Sequence, residues 1–255
     1  MKKAVINIIS ALALMLALSV SSGAESLPHV LFDQAHGQKF VIEEGGELHL
    51  SVLAGVVRQS GATATSSRAP LTDELLRGVA GLVISGPFQL LSADEADAAV
   101  RFLERGGRLA VMLHIGSPLA PLLERLDVDF SNAVLHERRN LLDQDLNFKV
   151  TDLSGEALFA GVPEFSLYGG WALNPGPSVT SMARTSPEAW VDLDGTRTLS
   201  RGDALGPFTV VAGGKRGSGA FVVFGDDAIF QNRYLDGGNR QLALNLAAWL
   251  SGKQP

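Results

Sequence analysis

Short apolar runs alternate with amphipathic segments along much of the chain, and this alternation indicates a sheet of parallel strands. The runs contain few polar residues, as in strands that are buried on both faces; they lie at 30–33, 81–87 and 108–116. Segments with the periodicity of helices separate or follow them, at 47–61, 92–107 and 119–126. The pattern therefore predicts a parallel sheet that is covered on both sides.

The helix predicted over 92–107 has the clearest boundaries. Ser92 and Glu95 have the S-x-x-E spacing of a capping box, in which each residue bonds the backbone N–H of the other. Gly106 and Gly107 follow the last apolar position and end the helix.

The pattern loosens from about residue 130 to residue 206, where Gly, Pro and Ser are frequent. We interpret this segment as β-hairpins and long loops that decorate the core, not as a separate domain. The regular pattern then returns with a hairpin over 208–227 and a terminal amphipathic helix over 239–250.

The N-terminus has the features of a secretory signal peptide. Lys2 and Lys3 precede a mainly apolar run of 17 residues, and small residues at Ser22 and Ala24 suit cleavage before Glu25. The alternative is a membrane anchor, because the run is near the lower limit of a transmembrane span. We expect residues 1–24 to be removed, residues 25–255 to form a single domain without a membrane span, and the protein to be periplasmic or secreted.

Charge and cysteine content narrow the function classes. Loss of residues 1–24 removes two lysines and no acids, which takes the net charge from −6 to −8 and argues against nucleic acid as a partner. The chain has no cysteine, which excludes disulfides, thiol nucleophiles and cysteine-bound metals.

Two segments, 81–113 and 217–250, resemble class I glutamine amidotransferase-like domains. The type in question occurs in auxiliary components of gliding-motility ABC transporters and in related bacterial proteins of unknown function. The residues that match the signature of this family are Gly225, Asp226, Phe230, Asn232, Leu235, Gly238, Asn239, Asn245, Trp249 and Leu250. The resemblance implies an α/β fold with a flavodoxin-like parallel sheet and helices on both faces, to which the sequence adds a β-rich insertion around 130–206.

The chemistry of the amidotransferases is not expected here. These enzymes place a nucleophilic cysteine in a G-x-C-x-G turn, whereas the corresponding stretch Met112–Gly116 has His114 at the cysteine position. The distal histidine of the family is also missing, since no histidine follows His136. Without a nucleophile and a base, acyl transfer from glutamine has no route.

Polar residues follow several of the predicted strands and form the candidate site. The carboxyl ends of parallel strands meet at one edge of a sheet, where ligands usually bind. We therefore expect a ligand site, with Trp171 as a possible stacking platform, formed by Asp33, His36, Ser85, His114, Trp171, Asp226 and Asp227. Two alternatives stay open: the carboxylates and imidazoles could bind a metal ion, or they could only cap turns.

The sequence favours a non-catalytic binding or scaffold domain of the cell envelope, which could be accessory to an ABC-type transport or surface complex. Its partner would be a small polar ligand, a glycan or an envelope protein, and no cofactor is expected. The alternative function is a hydrolase, with or without assistance from a metal ion, that uses Asp33, His36 and Asp226.

The first testable prediction concerns processing. Mass spectrometry of the exported protein should find a mature chain that begins at Glu25, because the basic, apolar and small-residue regions follow one another in the order that signal peptidase requires. A product that retains Met1 would contradict this prediction.

Overall fold

The computed structural model describes residues 27–253, so that the predicted signal peptide lies outside the described residues. In chain order the strands are β1 (His29–Asp33), β2 (Thr63–Ser67), β3 (Gly81–Ser85), β4 (Arg108–Met112), β5 (Val128–His136), β6 (Asn147–Val150), β7 (Asp152–Leu153), β8 (Phe165–Tyr168), β9 (Trp171–Pro175), β10 (Thr180–Arg184), β11 (Trp190–Val191), β12 (Ala204–Leu205), β13 (Thr209–Arg216) and β14 (Gly219–Phe224). The α-helices are α1 (Ser51–Gln59), α2 (Ala93–Glu104), α3 (Ala120–Arg125) and α4 (Gly237–Leu250).

Twelve of the strands form one mixed sheet. Its order is β12-β11-β5-β9-β13-β14-β4-β3-β1-β2, while β10 pairs with both β13 and β7. Pairing is parallel from β2 to β14, through β1, β3 and β4, and antiparallel everywhere else. The strands β6 and β8 form a separate antiparallel pair.

The flavodoxin-like fold that the sequence suggested is therefore wrong. The parallel strands are only five of the twelve, because β13 turns back as a hairpin and runs antiparallel to β14. The free edge of β13 then pairs with β9 and β10. The segment around 130–206 thus extends the main sheet, whereas we had expected it to decorate the core, and the result is a sheet-rich fold with few helices.

Side chains of the parallel strands alternate between two cores, as the twofold repeat of a strand requires. Val30 and Phe32 of β1 lie in a first core together with α1, α4 and the β6–β8 pair. Leu31, between them, lies in a second core together with α2 and α3. Both faces of β1 are therefore buried, which explains its continuous apolar run.

The predicted capping box at the start of α2 is confirmed. The Glu95 N–H donates to Ser92 Oγ at 3.3 Å, and the Ser92 N–H donates to Glu95 Oε2 at 3.0 Å. Both bonds satisfy N–H groups that the first turn of a helix leaves free.

None of the helices within residues 27–253 is long and apolar enough to cross a membrane.

The packing of β14 against α2 gives a stability prediction. A Cβ at Gly219 would overlap the carbonyl oxygens of Leu103 and Gly107, whereas a Cβ at Gly55 in α1 would meet no atom within 4 Å. We expect Gly219→Ala to lower the free energy of unfolding by about 1–3 kcal/mol or more. The matched control Gly55→Ala should raise it by roughly 0.5–1 kcal/mol, because alanine favours helix. Urea denaturation measures both, and equal stability of the two variants would contradict this packing.

Candidate functional site

Six of the seven predicted site residues lie at or just after the carboxyl ends of parallel strands, whereas Trp171 begins the antiparallel strand β9. Five of the six belong to two separate places. Asp33 and His36 form a cluster with Gln38 and Glu95, which we call the Asp33 cluster. His114, Asp226 and Asp227 line a cavity, which we call the His114 cavity.

In the Asp33 cluster, His36 is held between two carboxylates. Its Nδ1 lies 2.7 Å from Asp33 Oδ2, and its Nε2 lies 2.9 Å from Glu95 Oε1. Asp33 also closes the turn after β1, since its Oδ1 accepts a bond from the Ala35 N–H. Gly37 follows with a φ of +70°, which brings the loop back over the strand end.

The electrostatics of this cluster favour a charged histidine. Burial alone would lower the pKa of His36, but the hydrogen bond and charge of Asp33 and the charge of Glu95 outweigh it and raise the pKa. Burial opposes ionisation of Glu95 in the same way, yet bonds from Ser92 and Leu71 lower its pKa. Only the doubly protonated imidazole can donate to both carboxylates. Neither nitrogen of His36 is then left for catalysis, and the cluster is a brace between the β1 loop and α2.

The His114 cavity has a volume of about 200 Å³ and lies beyond the ends of β4 and β14. Its walls combine aromatic rings, two acids and one imidazole, and they include Phe40, His114, Tyr168, Asp226, Asp227 and Tyr234. Tyr168 and Tyr234 stack on each other with their ring centroids 3.8 Å apart. Phe40 contacts the His114 ring edge to face, at 5.3 Å between centroids.

The two acids of the cavity are fixed by different partners. Both oxygens of Asp226 accept backbone N–H groups, from Tyr168 at 2.7 Å and from Ala228 at 2.8 Å. Asp227 Oδ1 pairs with His114 Nδ1 at 3.1 Å. The buried Asp227 Oδ2 has no hydrogen-bond partner among residues 27–253, and a Cβ at Gly86 would overlap it.

Burial and mutual repulsion shift the proton affinities of these groups. Burial, and next the charge of Asp227, raise the pKa of Asp226 to about 7. Burial also raises the pKa of Asp227, against the opposing bond to His114. That same bond raises the pKa of His114, which carries a proton more readily than a free imidazole.

Ser85 and Trp171 are not among the residues that line the cavity. Ser85 Oγ is buried at the end of β3 and has no hydrogen-bond partner within the described residues. The Trp171 Nε1–H donates to the backbone carbonyl of His114 at 2.9 Å. The ring of Trp171 is half-buried and contacts Phe130, so that it positions the His114 loop instead of offering an open stacking platform.

The structure does not bring Asp33 and Asp226 together. The strands β3 and β4 lie between β1 and β14, so at about 4.8 Å per strand the two ends are roughly 14 Å apart. They also face different cores: Asp33 lies two residues after Leu31 of the second core, whereas Asp226 lies two residues after Phe224 of the first core. Parallel strands share an edge, but the parity of each residue decides its face.

The predicted metal ligands do not form a metal-binding group. Among residues 27–253, the acids or imidazoles whose ligand atoms lie within 4.8 Å of one another in a set of three are Asp192, Asp194 and Asp203, near β11 and β12. All three bond backbone N–H groups of their own loop, including those of Leu193, Thr196 and Arg197.

Sequence reasoning missed several residues of both places. Glu95 was recognised only as a helix cap, although its second oxygen also holds His36. Tyr168, Gln231 and Tyr234 line the cavity, but no local motif marks them, and Tyr168 is remote in the chain from the other two.

The His36 brace predicts a pH-dependent loss of stability. His36→Gln should lower the free energy of unfolding by roughly 3–5 kcal/mol, because removing one partner of a buried pair leaves the carboxylates uncompensated. Because its pKa is raised in the fold, His36 stabilises the fold fully at a pH below 6.5, the usual pKa of histidine. This stabilisation is lost as the pH rises through the raised pKa. Because its pKa is lowered in the fold, Glu95 stabilises the fold at a pH above 4.5, the usual pKa of glutamate.

The difference in the free energy of unfolding between His36→Gln and the parent chain should thus be largest between pH 4.5 and 6.5 and shrink at higher pH. The control is His29→Gln, since His29 bonds only the exposed Thr65 hydroxyl in this part of the chain. A difference that does not change with pH would show that His36 is not charged in the fold.

Solved structures share this fold at low sequence identity. The mmIFT52 N-terminal domain is 20% identical, with a TM-score of 0.71 over 89% of this chain and 99% of that one. A ThuA-like protein from Parabacteroides merdae ATCC 43184 is 9% identical, with a TM-score of 0.56 over 90% and 92% of the two chains. The β-galactosidase from Bacillus circulans sp. alkalophilus is 11% identical, with a TM-score of 0.52, and is matched over 32% of its length by 90% of this chain.

Sequence comparison corrects the family suggested by the strand and helix motifs. No curated protein sequence matches the chain. The family described as "Domain of unknown function (DUF4350)" matches residues 50–247, which is more than half of the chain. The resemblance to class I glutamine amidotransferase-like domains is therefore wrong, and the chain belongs to the DUF4350 family.

Proposed function

We propose that this domain binds a small polar ligand in the His114 cavity and does not transform it. The observation that carries the proposal is the cavity itself, in which two buried acids and an imidazole meet aromatic walls at the carboxyl ends of β4 and β14. Sheets with parallel strands usually bind ligands at that edge. The volume of about 200 Å³ is below the several hundred Å³ typical of pockets for drug-sized molecules, so the ligand is small.

Binding is better supported than hydrolysis because no nucleophile is activated at the site. In the described part of the chain the Ser85 hydroxyl has no hydrogen-bond partner, and Asp227 holds the Nδ1 of His114. A serine hydroxyl becomes a nucleophile when a base lies within hydrogen-bond reach. The hydrolase alternative required Asp33, His36 and Asp226 to cooperate, but His36 bonds the two carboxylates of the Asp33 cluster.

The cell envelope remains the proposed place of action. The support is the predicted leader over residues 1–24, which would deliver the domain to the outside of the cytoplasmic membrane. The association with an ABC transporter loses its support, because it came from the family resemblance that the DUF4350 match corrects.

A pair of tryptophan variants tests whether the cavity binds ligands. Leu48 lines the cavity and is 42% exposed, so Leu48→Trp should fill the entrance at little cost in stability. The matched control is Leu205→Trp, at a leucine of β12 that is 59% exposed and does not line the cavity. Ligand-observed NMR with a panel of small neutral, anionic and cationic compounds should find binders of the parent chain. Leu48→Trp should lower the affinity for these compounds by about tenfold or more, a loss of roughly 1.4 kcal/mol in binding free energy. Leu205→Trp should leave the affinity unchanged.

Two outcomes would contradict the proposal. The first is a panel in which no compound binds, or in which every binder is unaffected by Leu48→Trp. The second is turnover: incubation with chromogenic esters, glycosides and phosphates should release no product, and release that Asp227→Asn abolishes would favour the hydrolase.

A further inference from the structure

We propose that the ligand of the His114 cavity carries a small organic ammonium group. This inference rests on the proposed function, and it adds the chemical class of the ligand.

The charges around the cavity do not balance. Asp226 and Asp227 are both at least 97% buried there, and one imidazole, His114, faces them. No Lys or Arg is among the residues that line the cavity. The neighbouring Arg233 is used elsewhere, since it pairs with Glu47 at 3.3 Å and lies over the Tyr234 ring. One buried carboxyl group therefore lacks a countercharge, which a cationic ligand would supply.

The walls favour an organic cation. Phe40 and Tyr168 line the cavity beside the acids, and the faces of aromatic rings attract ammonium groups. The same acids disfavour anions, because like charges repel strongly where water is scarce.

A metal ion fits these acids less well than an ammonium group does. Both oxygens of Asp226 already accept backbone N–H groups, and Asp227 Oδ1 is paired with His114. Of the four carboxylate oxygens, Asp227 Oδ2 is the one without a partner among the residues that the structure describes. Calcium takes six to eight oxygen ligands, and magnesium needs a near-ideal octahedron. An ammonium group needs no such set, because its charge acts over distance and its methyl or methylene groups contact the rings.

Choline and its neutral isostere 3,3-dimethylbutan-1-ol form a matched pair of probes, which differ in one charged atom. In calorimetric titrations of the full chain, at low salt and above the pKa of Asp226, choline should bind about tenfold or more tightly than the isostere. Acetate, as a small organic anion, should not bind. Calcium and magnesium should not compete with choline.

Asp227→Asn tests the source of the preference. The asparagine oxygen can still accept from His114, and its amide takes the place of the unpartnered Oδ2, so the fold should persist. Choline affinity should fall by about tenfold, while isostere affinity stays within about twofold. The control is Asp236→Asn, an exposed acid nearby that does not line the cavity, which should change neither affinity by more than about twofold.

The outcomes separate the two proposals. Equal affinity for choline and its isostere, tighter binding of acetate, or displacement of choline by calcium would overturn the ammonium assignment and leave a cavity that binds ligands. Absence of choline binding would overturn it as well. Only the further failure of the whole compound panel would remove the proposed binding function.

Discussion

The position of β14 is the constraint on which the rest of the structure depends. One edge of this strand pairs in parallel with β4 over five residues, and the other pairs antiparallel with β13 over six. The parallel and antiparallel parts of the sheet therefore meet at β14. Its carboxyl end delivers Asp226 and Asp227 beside His114 of the β4 loop, and the Asp227 N–H continues the pairing by donating to the Leu113 carbonyl. The candidate site exists because this junction places two acids where the sheet changes direction.

Buried charge is handled in two different ways at the two sites. In the Asp33 cluster, His36 compensates Asp33 and Glu95 at short distance, and backbone donors satisfy the remaining oxygens. In the His114 cavity, one imidazole faces two acids, one oxygen has no partner, and the pKa of Asp226 rises to about 7. A satisfied network stabilises the fold, whereas an unsatisfied one is costly and is therefore typical of a binding site.

Residues that suggested a family signature have structural duties in this fold. A Cβ at Gly238 would overlap the Glu164 carbonyl oxygen. The glycine, which has no side chain, therefore allows the start of α4 to pack closely against the start of β8. The Asn239 side chain bonds the backbone of Ser166 and Ile229, and Asn245 donates to the carbonyls of Leu158 and Ala160. These bonds attach α4 to the segments around it. These residues of the motif thus fasten a terminal helix to a sheet, whereas Asp226 of the same motif lines the His114 cavity.

The sequence by itself determined the elements whose signals are local. The apolar runs of β1, β3 and β4, the capping box of α2 and the hairpin of β13 and β14 all follow from residues within one short segment. Only the tertiary structure decided that β9 and β10 join β13, because strand pairing between distant segments depends on which edge is free after folding. It also decided the sites: Glu95 and Tyr168 reach their partners from remote elements, and the alternation of side chains along each strand placed Asp33 and Asp226 toward different cores.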